Sequence, residues 1–105
     1  MNQARVDKLN ALLAQDPEDA FVRYALAMEF SSAGNFEQAS SLLLDLLQRD
    51  PSYVPAYQQL GALYRSEGKT AQAANMLRTG ILRARASGDQ HAAGEMQDEL
   101  DDLVV

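Results

Sequence analysis

Displaced by 34 residues, the chain matches itself: Leu9, Leu12, Leu13, Asp16 and Pro17 fall on Leu43, Leu46, Leu47, Asp50 and Pro51 without a change. The register continues without a gap and sets Leu26 on Leu60, Ala27 on Gly61, Phe30 on Tyr64, Gly34 on Gly68, Ala39 on Ala73 and Leu43 on Leu77. A self-match at such a period marks stacked supersecondary units, none of which buries its own apolar face alone. The repeat therefore constrains the fold before any local propensity is weighed.

Apolar residues recur at steps of three and four, the spacing of one helix face, and Gly or Asp-Pro marks the stops. Val6, Leu9, Leu12 and Leu13 give a first helix over about Gln3–Gln15, ended where Pro17 biases Asp16 away from helical angles. A second, about Asp19–Ala33, opens on an acidic Asp19 or Glu18 and closes at Gly34, which is free to take left-handed angles. The third, about Phe36–Gln48, is expected to bury Ala39, Leu42, Leu43, Leu46 and Leu47. The fourth is expected to begin after Ser52 as its cap, to tolerate Pro55 in its first turn and to end at Gly68. The fifth covers about Thr70–Ala86, and Gly88 turns the chain into a sixth, about Gln90–Leu103. Its stripe of Ala93, Met96, Leu100 and Leu103 follows Tyr57, Leu60, Tyr64 and Glu67 by 36 residues, two more than the period.

The small residues of the repeat have a packing role. Ala27 and Gly61 each follow a Leu on the buried face, and Ala39 and Ala73 are expected to oppose them from the partner helix so that the backbones approach closely. A helical glycine costs about 1 kcal/mol relative to alanine, so Gly61 implies a steric need.

These positions resemble the tetratricopeptide repeat, a helix-turn-helix unit. The second unit reads Tyr57, Leu60, Gly61, Tyr64, Gly68, Ala73 and Leu77, and the first reads Arg23, Leu26, Ala27, Phe30, Gly34, Ala39 and Leu43, closed by Pro51. Arg23 departs from the usual aromatic, and Leu46 from a small residue late in the second helix; neither breaks the register. The resemblance implies an all-α solenoid of stacked hairpins. We expect one domain of four parts: a trailing half-repeat at 1–17, repeats at 18–51 and 52–88, and an acidic capping helix at 89–105 whose polar face stops further stacking.

Charge is segregated along the chain. Residues 1–88 hold nine basic and nine acidic side chains, so Asp89, Glu95, Asp98, Glu99, Asp101 and Asp102 supply the whole net charge of −6. Nucleic acid is not expected as a partner, because a phosphate backbone requires clustered positive charge. The 105 residues include no cysteine, which fits a reducing, cytoplasmic setting and offers neither disulfide nor thiolate metal site. No apolar run has the length of a signal peptide or of the ~20 residues that span a bilayer, so no membrane partner is expected. The opening Met and the polar last helix lead us to expect a free-standing protein rather than a module of a longer array.

The parts of an enzyme are missing from the sequence. It carries no Gly-rich phosphate loop and no Gly-x-Ser-x-Gly turn. His91 with Glu95 and Asp98 is the one acid–base grouping; it offers too few ligands for a structural metal, and the Asp98, Glu99, Asp101, Asp102 run lies on a helix rather than a calcium loop. Catalysis, cofactors and metal are therefore not expected, and the acids are expected to pair in part with Arg78, Arg83 and Arg85.

Binding is the remaining class. In the tetratricopeptide family the first helices of the units line a concave, peptide-binding surface, and helical phase assigns to it Phe21, Tyr24, Met28 and Ser31, then Pro55, Gln58, Ala62 and Arg65. The sixth helix adds His91, Gly94, Asp98 and Asp101. Members that grip the carboxylate of heat-shock chaperones use Lys, Asn and Arg from successive first helices, whereas Tyr24, Met28, Gln58 and Ala62 occupy those places here. The expected ligand is an apolar or amphipathic segment of a partner protein, its apolar side on Phe21, Tyr24 and Met28 and its basic end near Asp98 and Asp101. The alternative is a homodimer formed through the same apolar patch.

Overall fold

Two kinds of turn, each reused, divide the chain into helices. In the computed structural model, which describes residues 1–103, these are α1 (Gln3–Gln15), α2 (Ala20–Ser32), α3 (Phe36–Arg49), α4 (Val54–Ser66), α5 (Thr70–Ala86) and α6 (Gln90–Leu103). The last two positions of the acidic segment 89–105 lie outside the described residues. The all-α helical repeat expected from the 34-residue register is the observed fold.

The first kind of turn follows Asp-Pro. Asp16 and Asp50 close α1 and α3 with nearly the same angles, φ −139°, ψ 86° and φ −137°, ψ 85°. In both, the Asp amide donates to the carbonyl four residues back, Leu12 or Leu46, and the following Pro has no N–H with which to extend the helix.

The second kind uses glycine in the left-handed region. Gly34, Gly68 and Gly88 have φ of 80°, 75° and 80°. After each, the next amide reaches back to the last turn of the helix: Asn35 to Phe30, Lys69 to Tyr64 and Asp89 to Ala84, at 2.9, 2.8 and 2.8 Å. With the glycine amides donating to Ser31, Arg65 and Arg85, all three are Schellman closures. Asn35 and Asp89 also cap the next helix, their Oδ1 atoms accepting from the Gln38 and Ala92 amides. The chain therefore leaves step after α5 by using a within-hairpin turn where Asp-Pro closed the earlier units.

The start of α4 differs from expectation. Tyr53, not Ser52, is the N-cap, and it makes no side-chain cap bond. Pro55 stands in the first turn, where its fixed φ favours helix without a capping hydroxyl. On α3, Ala39, Leu43 and Leu46 are buried as expected, whereas Leu42 and Leu47 are half-buried.

The chain forms two compact units, Met1–Pro51 and one from Ser52 onward, divided where the two repeats meet. In the first, α1 packs on α2 and α2 on α3. Its core includes Val6, Leu26, Ala27, Ala39, Leu43 and Leu46. It also encloses a charge. Arg23 is 7% exposed; its Nη1 donates to Asp45 Oδ2 and its Nη2 to the Pro17 carbonyl, both at 2.7 Å. Arg49 joins them, its Nε donating to the same Asp45 oxygen and its Nη1 to Glu18. Arg23 thus ties α2 to α3 and to the Asp-Pro turn, in the place where the second repeat puts Tyr57.

In the second unit α5 packs against both α4 and α6, and α4 touches α6. The helices converge on Gly80, where a β-carbon would stand 2.6 Å from Met96 Sδ and 2.7 Å from Tyr57 Cβ. Gly61 is also at a close approach, but its nearest neighbour is the Leu77 side chain, at 2.9 Å from an added β-carbon, rather than Ala73. Ala73 is fully buried nonetheless.

Candidate functional site

The second unit carries an open cleft of about 590 Å³. Gln58, Ala62 and Arg65 follow one another at steps of four and three on α4 and share a face; with Gln59 and Ser66 they form one wall, Glu99 of α6 forms the other, and Gly61 and Leu77 line the base. Leu77 fills the space beside Gly61, where an added β-carbon would stand 2.9 Å from it, and is itself only 2% exposed.

Polar groups are distributed unevenly around this cleft. Gln58 donates from Nε2 to Glu99 Oε1 and ties the two walls at half-buried positions. Ser66 commits its hydroxyl proton to the Leu63 carbonyl at 2.7 Å, leaving its lone pairs outward. Arg65 is exposed and, among the described residues, its guanidinium makes no hydrogen bond or ion pair. The cleft therefore offers an uncommitted guanidinium, the exposed methyl of Ala62 and a carboxylate already holding one donor.

Of the residues assigned by helical phase, Gln58, Ala62 and Arg65 line this cleft. Pro55 is exposed at the start of α4 and outside the cleft lining, and Asp98 and Asp101 are exposed on α6 and likewise outside it. The acid that faces α4 is Glu99. The stripe that places α6 at an offset of 36 is the buried one, Ala93, Met96 and Leu100; Glu99 flanks it on the side toward α4.

In the first unit, Phe21, Tyr24, Met28 and Ser31 lie along one face of α2. Phe21 is 69% exposed, and the other three are half-buried. His91 Nε2 stands 3.5 Å from Glu95 Oε1 on the exposed start of α6. Among the described residues, no group of three or more His, Cys, Asp or Glu is placed to hold a metal ion, and no helix is long and apolar enough to cross a membrane. Among the described residues, Arg78, Arg83 and Arg85 make no ion pair with the acids of α6, contrary to the pairing expected from sequence; the α6 residues beside Arg78 and Arg85 are Gln97 and Leu100.

Comparison with known proteins gives a consistent answer. The sequence model of the tetratricopeptide repeat family matches residues 1–80. The chain is 29% identical over 91 residues, 87% of each partner, to the TPR repeat-containing protein PA0015 of Pseudomonas aeruginosa. A tetratricopeptide repeat domain protein from Salinibacter ruber, solved by solution NMR, is 40% identical with a TM-score of 0.80, over 84% of this chain and 89% of that one. The TPR2B domain of yeast Sti1, solved in a complex with pHsp70, superposes with a TM-score of 0.87 over 94% of this chain and 79% of that one. At 18% identity, the last likeness bears on the fold alone.

Proposed function

The chain belongs to the tetratricopeptide repeat family, and on that premise we propose that it is a non-catalytic module that binds a peptide or helix of a partner protein in the α4–α6 cleft. Domains of this family mediate protein–protein interaction, and the Sti1 domain is in a complex with pHsp70. One observation carries the reading here: Gln58, Ala62 and Arg65 of α4 and Glu99 of α6 line one open cleft, with Ala62 as its exposed apolar residue. A segment with one apolar side chain packs on Ala62, sets a backbone or side-chain carbonyl on Arg65, and turns a basic residue toward Glu99. The α2 face of Phe21, Tyr24, Met28 and Ser31 is a separate apolar contact surface. We further propose that the protein works in the cytoplasm and takes neither nucleic acid nor a membrane as partner, in keeping with its charge and lack of cysteine.

The exposure of Phe21 favours a second reading, self-association into a homodimer through that apolar face. Light scattering across a dilution series separates the two.

The test of peptide binding uses peptides selected from a random library on the intact protein and measured by fluorescence anisotropy. Ala62→Trp, which fills the cleft, and Arg65→Glu, which reverses its cation, are each expected to weaken binding by about tenfold or more. Unchanged affinity in both variants, with helix content preserved by circular dichroism, removes the cleft as the binding site.

A further inference from the structure

A second cleft of the same unit shares no residue with the first. It has a volume of about 230 Å³ and lies between α5 and α6, lined by Arg78, Ile81, Leu82 and Arg85 on one side and by Gln97 and Leu100 on the other. The four α5 residues fall at i, i+3, i+4 and i+7, a single stripe along the helix. At 1.5 Å rise per residue, the two arginine backbones are about 10 Å apart along the axis, with Leu82 between them.

Packing accounts for Ile81 and Leu100, which are buried, but not for Leu82, which is 66% exposed. Arg85 has a reason to stand near the negative end of α5; Arg78, in mid-helix, has none. Both guanidinium groups are exposed and, among the described residues, make no hydrogen bond or ion pair. This holds although the neighbouring helix is rich in acid; three of its carboxylates have other partners. Glu99 accepts from Gln58, Glu95 meets His91, Asp101 accepts from Gln97, and Asp98 and Asp102 are exposed. An acidic protein thus presents a basic stripe with an apolar centre.

We propose that the α5–α6 cleft docks an acidic amphipathic helix of a partner protein, with an apolar side chain on Leu82 and carboxylates about two turns apart on Arg78 and Arg85. Complementary charge selects this occupant. A nucleic-acid backbone would meet the same arginines, but two cations are fewer than the clusters that phosphate binding uses, and it brings no apolar side chain to Leu82; anionic lipid is separated by the test below. The acidic face of α6 from a second copy offers Glu95, Asp98 and Asp102 but no apolar residue between them to cover Leu82.

The probe is a labelled, alanine-based helical peptide of about 18 residues, long enough to hold helix in water, with Glu at two positions seven apart and Leu midway. A control peptide replaces both Glu by Lys. Anisotropy at low salt is expected to show binding of the acidic peptide in preference to the control, weakened by added salt. The double variant Arg78→Glu/Arg85→Glu is expected to reverse that preference, and Leu82→Ala to weaken binding by about threefold to tenfold while helix content stays unchanged. Ala62→Trp, in the first cleft, leaves this binding as in the wild type and so separates the two surfaces. Equal binding of both peptides, an unaltered preference in the double variant, or binding only to phosphatidylserine vesicles overturns the proposal.

Discussion

A β-carbon on Gly80 would stand 2.7 Å from the β-carbon of Tyr57, so α4 and α5 meet at a separation that only glycine permits. Met96 presses on the same point from α6, but its thioether lies at the flexible end of a side chain and can move. Tyr57 Cβ is fixed to its backbone. Gly80→Ala is therefore expected to lower stability by about 1–3 kcal/mol, although alanine gains about 1 kcal/mol of helix propensity. Urea unfolding measures this; a midpoint at or above wild type contradicts the three-helix junction.

Two other glycines make the comparison sharper. At Gly94 an added β-carbon meets nothing within 4 Å, so Gly94→Ala is expected to stabilise by about 0.5–1 kcal/mol. At Gly61 the obstacle is the end of the Leu77 side chain, which can rotate, and Gly61→Ala is expected to fall within about 1 kcal/mol of neutral as propensity offsets strain. The order Gly94→Ala, Gly61→Ala, Gly80→Ala in thermal midpoint is the outcome to check; any other order contradicts this ranking of contacts.

Arg23 bridges Asp45 and the Pro17 carbonyl from a buried position. Arg23→Ala is expected to cost about 2–3 kcal/mol by leaving a cavity and an unpaired carbonyl. Arg23→Met, which fills the space, is expected to cost less, since Asp45 retains Arg49 and is itself part-exposed. Equal losses in the two variants would assign the effect to charge rather than volume.

Lys69 occupies the N-cap of α5 without a side-chain cap bond, at φ −89° and ψ 69°, close to the φ −89° and ψ 75° of Asn35, whose side chain does cap. Lys69→Asn is expected to stabilise by about 0.5–1 kcal/mol. Its contacts to Glu67 at 3.8 Å and to the Tyr64 ring at 6.0 Å are exposed and offset little of that gain. A fall in thermal midpoint would contradict the shared turn geometry.

The division between what was legible in the sequence and what was not follows the range of each interaction. Helices α1, α5 and α6 have the bounds that apolar spacing and the Pro and Gly signals predict, because those signals act within a turn of where they are written. Gly34, Gly68 and Gly88 take the left-handed angles for the same reason. Arg23 reads as a departure from an aromatic site, since its partners Asp45 and Pro17 come together only through the α2–α3 hairpin. Gly80 gives no local sign of its importance; Tyr57 and Met96 reach it from two other helices. Glu99 is missed at the cleft because its role comes from a bond to Gln58, 41 positions away, and apolar spacing on α6 carries no sign of a polar partner on α4.

Peptide binding in the α4–α6 cleft is tested most directly by ¹H–¹⁵N NMR of the intact protein titrated with a library-selected peptide. Saturable shifts centred on the amides of Gln58, Gln59, Ala62, Arg65, Ser66 and Glu99 are the expected result. Shifts that leave these amides unmoved while the peptide binds would contradict it.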